Sequence, residues 1–339
     1  MLTGFSGACT GTACTLTLDR DVTVSAAFED QRYSVMLIGS LPGDTASSAY
    51  GISPNGSRAT GGSGAGSAIR PFYWDGGLHA VAAVRGWSSA VSDAGLIGGS
   101  FLTAAGDWHG FSWQAGSFRD LGTLGGNLSG ARGVNSAGIV AGFATFPNGT
   151  MRAVYWDRAS IHDLGSLQSS GCGSANAINS DGIIAGETCT REGQIHAARF
   201  RGVNVIDDLG TLGGGTLSRA YGINDQDTIV GVSERSSGSA HGFIWHEGMM
   251  EDAGELPGYP RVELHAINKQ GFATGFVMNA QSSVLRGVIY ANGRLHDLTS
   301  LLDTGAYTIT EAGAIADTGE IAVTASNDSG VVAAILRPK

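Results

Sequence analysis

Most of the signatures that announce an enzyme or a nucleic-acid binder are missing from this chain. Lysine occurs only at Lys269 and Lys339, and no basic run relieves a formal net charge of −10. That balance argues against a surface that tracks phosphates, so nucleic acid is not an expected partner. No apolar run approaches the roughly 18 residues a membrane helix needs. The G-x-S-x-G elbow, the G-x-x-x-x-G-K-[ST] loop, H-E-x-x-H and the EF-hand loop are all absent. With no C-x-x-C either, neither a zinc site nor a redox centre is expected, and no metal or cofactor is read from the sequence.

What the chain does have is glycine, 54 of 339 residues, with hydrophobic residues at 42%. The apolar fraction suffices for a sizeable core. The glycines follow no G-x-y period, so they mark many tight turns. Four cysteines remain: Cys9 and Cys14 bracket a short loop, while Cys172 and Cys189 fall in two loops of one later repeat. An even count in such a chain favours two disulfides and an oxidising compartment. The first thirty residues already read as folded-domain sequence, so an export signal and further modules are expected upstream of Met1.

The order in the chain is a repeat. "DLGTLGG" stands at 120–126 and again at 208–214, and "DLGSLQS" begins between them at Asp163. Aromatic-rich runs end at Trp74, Trp113, Trp156, Phe200, Trp245 and Tyr290, in steps of 39, 43, 44, 45 and 45 residues. A degenerate copy ends at Leu336. Each unit holds four short β signals: A-x-G-I-N, then I-V-A-G, then the aromatic run opened by Arg or His, then D-L-G with its glycine-rich loop. Four strands per 40–45 residues is the arithmetic of a propeller blade. The "GGSGAGS" run at 61–67 is expected as a loop between the second and third strands.

First strands fall near Tyr50, Ser89, Arg132, Asn176, Tyr221, His265 and Gly313. The seventh unit lacks a fourth strand, and "RYSVMLIGSLPG" (32–43) sits ahead of the first unit in the slot where one is missing. The expected fold is therefore an all-β, seven-bladed propeller over 31–339, closed by an N-terminal strand that pairs with 331–337. Closure removes the exposed edges of an open array.

The combination of D-L-G-T-L-G-G, A-x-G-I-N, G-x-I-V-G and H-A-F-x-W resembles the bacterial extracellular HAF-repeat family. "SRAYGINDQDTIVGVS" followed by "AHGFIWHEG" is a close copy. The resemblance covers about 31–339 and implies an exported or cell-surface propeller-like protein, but it transfers no catalytic residue. Residues 1–30, with "GFSGACTGTACTLTLDRDVTVSAAF", look like the tail of an internalin-type B repeat, a small β module of surface proteins. A fragment that short needs a staple such as Cys9–Cys14. The whole is expected as a monomeric module of a longer extracellular protein.

Residues that recur in one slot brace the scaffold. On that reading His109, His196 and His241 hydrogen-bond the backbone or an Asp of the D-L-G series. Residues that vary within a constant frame are site candidates. In A-x-G-I-N the variable position reads Tyr50, Ser89, Arg132, Asn176, Tyr221, His265 and Gly313, and two residues earlier stand Trp87, Arg219, Glu263 and Glu311. Both positions lie beside the central channel at one face, and units five and six supply Arg219, Tyr221, Glu263 and His265. The competing reading is an ordinary solvated rim.

Two function classes follow. As a binding module, the channel mouth would hold a glycan or an extracellular protein segment, with Tyr50, Trp87 and Tyr221 stacking on sugar rings and Arg132 and Arg219 pairing with carboxylates. As a polysaccharide lyase, His265 or Tyr221 would abstract the proton α to a uronate carboxyl that Arg219 neutralises. Glu263 and Glu311 are the acid/base pair of the corresponding hydrolase. The missing signatures favour binding.

Overall fold

The structure, a computed structural model, describes residues 2–7, 24–28, 31–168, 171–281 and 285–339. It is an all-β propeller. No α-helix occurs among the described residues, only 3-10 turns at Gly66–Ala68 and Leu298–Leu301, and no helix there is long and apolar enough to cross a membrane. Leu2–Gly7 pairs antiparallel with Val24–Phe28 in a sheet of its own. Cys9 and Cys14 lie outside the described residues.

From Tyr33 on, the chain builds antiparallel meanders of four strands. Five are separate sheets, and an eight-stranded path joins two more through one parallel bridge between Ile195 and Leu217. We number these units 1 to 7 in chain order; their first strands are Ser47–Ile52, Gly86–Val91, Ser129–Val134, Gly173–Ile178, Gly214–Ile223, Arg261–Ile267 and Thr308–Ile315. Unit 7 takes its fourth strand from the other end of the chain: Tyr33–Leu37 pairs antiparallel with Gly330–Pro338, Val35 opposite Leu336. Unit 7 also packs on unit 1, where the amide of Ala333 donates to the Ser47 hydroxyl at 2.9 Å. In unit 1, Gly61–Ser63 belongs to the second strand. The sequence expectation of a loop over 61–67 thus holds only beyond it, because these glycines are needed where strands crowd.

Apolar clusters sit between neighbouring units. Leu121 of unit 2 meets Ala131, Val140, Val154 and Trp156 of unit 3, and Leu209 of unit 4 meets Ile229, Phe243 and Trp245 of unit 5. Phe72, Phe111, Phe200 and Phe243, all on third strands, are fully buried. Each such side chain contributes about 1.5–3 kcal/mol relative to exposure.

Polar staples reinforce the same interfaces. The Asn of A-x-G-I-N closes its own turn through Oδ1 and donates Nδ2 to the next unit. Asn135 donates to Asn179 O, Asn179 to Asn224 O, Asn224 to Asn268 O and Asn268 to Ala316 O, at 3.2, 3.2, 3.0 and 3.2 Å. The Asp of D-L-G binds the third strand. His109 meets Asp120 and His196 meets Asp208, both at 2.9 Å, and His241 meets Asp252 at 3.2 Å. These histidines brace the sheets. The same aspartates accept from the amides of Gly122, Gly210 and Gly254. Those glycines have φ of +67°, +72° and +80°, the conformation that turns the chain towards the next unit.

Candidate functional site

The variable position of A-x-G-I-N has a structural cause that residue types alone do not declare. In every unit the register between first and second strands slips at this residue: between Ala49 and Gly51, Ser88 and Ala90, Ala131 and Gly133, and Ala175 and Ala177. It slips likewise between Ala220 and Gly222, Leu264 and Ala266, and Ala312 and Ala314. Tyr50, Ser89, Arg132, Asn176, Tyr221, His265 and Gly313 are the extra residues of these β-bulges. A bulge leaves its residue outside the ladder and re-aims its side chain, so the frame repeats while the side chain is free to differ.

The glycine of I-V-A-G makes room for the bulge. A Cβ on Gly142, Gly186, Gly231 or Gly275 would stand 2.0, 2.0, 1.9 or 1.9 Å from the carbonyl oxygen of Gly130, Ser174, Arg219 or Glu263. That carbonyl lies two residues before the bulge. The residue after this glycine pairs across from it, and here too the type varies: Ser100, Phe143, Glu187, Val232, Phe276.

The result is a cavity of about 630 Å³ at the bulged mouth of the channel. Unit 2 lines it with Trp87, Ser89, Ser100 and Trp108, unit 3 with Ser129, Arg132 and Phe143, unit 4 with Asn176. Tyr221 from unit 5 and Glu263 and His265 from unit 6 form the facing wall. Trp87 and Trp108 are tilted against each other at 4.9 Å. The Arg132 guanidinium lies over Phe143 at 5.2 Å. His265 meets Tyr221 edge-to-face at 5.2 Å and Phe276 at 5.0 Å.

Of the residues singled out from sequence, Trp87, Arg132, Tyr221, Glu263 and His265 therefore share one cavity. Arg219 is not among its lining residues. Its Nε lies 2.9 Å from the Glu187 carboxylate, and it borders a second cavity of about 260 Å³ that shares Tyr221 and Glu263 with the first. Glu311 stands behind His265, at 3.9 Å from Nδ1. Tyr50 is half-buried near Glu311, and neither lines the main cavity. The cavity that holds Tyr221, Glu263 and His265 extends across to units 2 and 3.

Electrostatically the walls differ. Glu187 stands beside Arg132 and Arg219, though not itself among the residues lining either cavity, and burial pushes its carboxyl up against the pull of both arginines. Burial pushes Glu263 up too, but His265 and Arg261 outweigh it and hold that carboxyl below the ordinary value. Arg261 is 2.8 Å from Glu263 and His265 3.7 Å. Burial, with Glu263 nearby, raises the Tyr221 phenol, so it is a poor base. At the other end of the first strands lies a separate cavity of about 150 Å³, lined among others by Asn135, Asn179, Asn224, Lys269 and Asp317. Among the described residues no cluster of His, Cys, Asp and Glu has metal-binding geometry.

Trp108, Phe143 and Glu187 escaped the sequence reading. The rule that found Tyr221 and His265, an irregular residue in a regular frame, also picks out the second-strand residue after the glycine, and so Phe143 and Glu187. Trp108 opens a third strand where the other units carry Ile69, Met151, Ile195, Ala240 and Leu285.

No protein-family model and no curated protein matches the chain, so the HAF-repeat likeness remains a resemblance of motifs. Among solved structures, the β-propeller domain of the Trilobed protease from Pyrococcus furiosus matches 86% of this chain and 97% of its own, with a TM-score of 0.57 and 6% identity. The BP39L lectin from Burkholderia pseudomallei matches 92% of this chain and 97% of its own, at 0.46 and 10%. AofleA from Arthrobotrys oligospora matches 79% and 89%, at 0.46 and 11%. At such identities the likeness speaks for the fold alone, and it does so through the Trilobed domain. That domain is described as having an open velcro topology, whereas here the terminal strands pair.

Proposed function

We propose that the chain is a seven-bladed propeller over 31–339, preceded by a separate small β module over 1–30, that binds a carbohydrate at its channel mouth. The seven units, counted as five sheets and the two halves of the joined path, support the blade count. The observation that carries the binding reading is the cavity itself. Two indoles line one wall, and a phenol, an imidazole and a carboxylate line the other. Sugars present apolar ring faces edged by hydroxyls, and aromatic planes with polar neighbours match that pattern. The disulfide between Cys172 and Cys189 suits an oxidising compartment, and we place the protein outside the cell.

A panel of neutral and uronic polysaccharides, read by affinity electrophoresis and titration calorimetry, tests this. At least one polymer is expected to bind, and Trp108→Ala, which removes a stacking plane worth about 0.5–1.5 kcal/mol beyond its area, weakens it several-fold or more. If no polysaccharide binds, the carbohydrate reading falls and a protein segment becomes the ligand to seek.

A second reading, a polysaccharide lyase, is favoured by one contact: His265 and Tyr221 pack edge-to-face in this same cavity. His265 would take the proton α to the uronate carboxyl, the C4–O bond would break, and the leaving oxygen would collect a proton from Tyr221. Arg132, which lines this cavity, would neutralise the carboxyl in place of Arg219. The same incubations, followed at the absorbance of unsaturated uronates, show new ends from the parent and none from His265→Ala if this reading holds.

A further inference from the structure

We propose that the cavity selects an acidic sugar by seating the sugar's carboxylate on Arg132, an inference that rests on the carbohydrate reading of the same cavity. Three charges meet at this corner. Arg219 and Arg132 both face Glu187, and Arg219 takes it at 2.9 Å. Arg132 keeps a cation–π contact with Phe143 and the repulsion of Arg219. Among the described residues no hydrogen bond or ion pair ends on its guanidinium. Two guanidinia against one carboxylate leave one uncompensated positive charge, in a chain whose net charge is −10.

That charge is exposed to the cavity, although the surrounding walls take enough water from it to lower the Arg132 pKa from its ordinary value, with Glu187 opposing. An arginine whose guanidinium lies over a ring and that lines a cavity suits a planar carboxylate that takes two parallel hydrogen bonds. The opposite wall makes no matching demand for a cation, because Glu263 already has Arg261 and His265 as neighbours. Trp87 and Trp108 line the same cavity, so one uronate can place its carboxylate on the arginine and its ring against an indole.

Tetramers of galacturonate, glucuronate and mannuronate, each compared with its neutral methyl ester, separate charge from shape. By calorimetry at low salt, at least one acid is expected to bind about tenfold or more tighter than its ester, the scale of a charge-assisted hydrogen bond. Salt at about 0.5 M narrows the gap. Arg132→Gln lowers the acid's affinity to that of the ester and leaves the ester's nearly unchanged, while Arg132→Lys, which keeps the charge without the fork, falls between. An ester that binds the parent as tightly as its acid overturns the anionic seat while the carbohydrate reading stands. A preference that survives Arg132→Gln overturns it as well. If neither acids, esters nor neutral polysaccharides bind, the carbohydrate reading is what has failed.

Discussion

Tyr221 and Gly231 show how a single residue pair shapes the candidate site. Tyr221 is surplus to its ladder, and Gly231 on the adjacent strand leaves the space that the bulge occupies. Gly231→Ala would put a methyl carbon 1.9 Å from Arg219 O, a clash with backbone that no rotamer relieves. Overpacking of this kind costs about 1–3 kcal/mol, so a lower Tm with weakened ligand binding is expected, from thermal unfolding and calorimetry on one preparation. An unchanged Tm would mean the bulge does not need the glycine. The recurring glycine was visible in the sequence as a strand residue, but its purpose was not, since a bulge has no residue signature and shows only in the pairing. For that reason Tyr221 and His265 could be chosen by irregularity, but the two irregular slots looked alike until the bulge set Arg132, which lines the cavity, apart from Arg219, which Glu187 draws aside.

The D-L-G turns and third strands are the elements in which repetition was easiest to read, because a bracing pair must recur wherever the sheet does. Their carboxylates are also where sensitivity to acid is expected. Burial pushes the Asp252 carboxyl up, but the Gly254 amide, Arg235 and His241 together hold it below its ordinary value. At the turn that follows the third strand of unit 3, the amides of Ser160 and Ala159, with His162, bring Asp157 down to about 2. A carboxylate with a depressed folded pKa adds stability that is fully present above its unfolded value of about 3.9. That stability is lost as the pH falls through the folded value. The Tm is therefore expected to fall between about pH 4 and pH 2, and Asp252→Asn to start lower at neutral pH and fall less steeply. Parallel Tm–pH curves for parent and variant would show that Asp252 is not a source of the slope. The Asn relay from Asn135 to Ala316 was less legible: A-x-G-I-N reads as a strand end, and only the neighbouring unit reveals the acceptor.

On the scale of the whole molecule, a propeller is held by its closure, and here the two ends of the described ring meet. The strand Tyr33–Leu37 pairs with Gly330–Pro338, and the contact continues past it. The Lys339 amide donates to Arg32 O at 3.0 Å, Gln31 donates to Lys339 O at 2.7 Å, and Lys339 Nζ meets Asp303 at 2.5 Å. Tyr33 is 3% exposed, and burial pushes its phenol up to about 12, so it belongs to the core and not to a tail. Closure was legible because a missing fourth strand at one end and a spare one at the other are facts of counting. Two truncations separate this strand from the segment before it. Removing 1–30 spares every contact named here, and its product is expected to unfold within a few degrees of the parent. Removing 1–37 deletes Tyr33 and leaves Gly330–Pro338 as an open edge, which invites pairing between chains. That product is expected to melt broadly and well below the parent and to aggregate in light scattering. If it instead melts like the parent, the ring does not depend on its clasp. If the shorter truncation already destabilises it, residues 1–30 are part of the propeller and the boundary before Gln31 is misplaced.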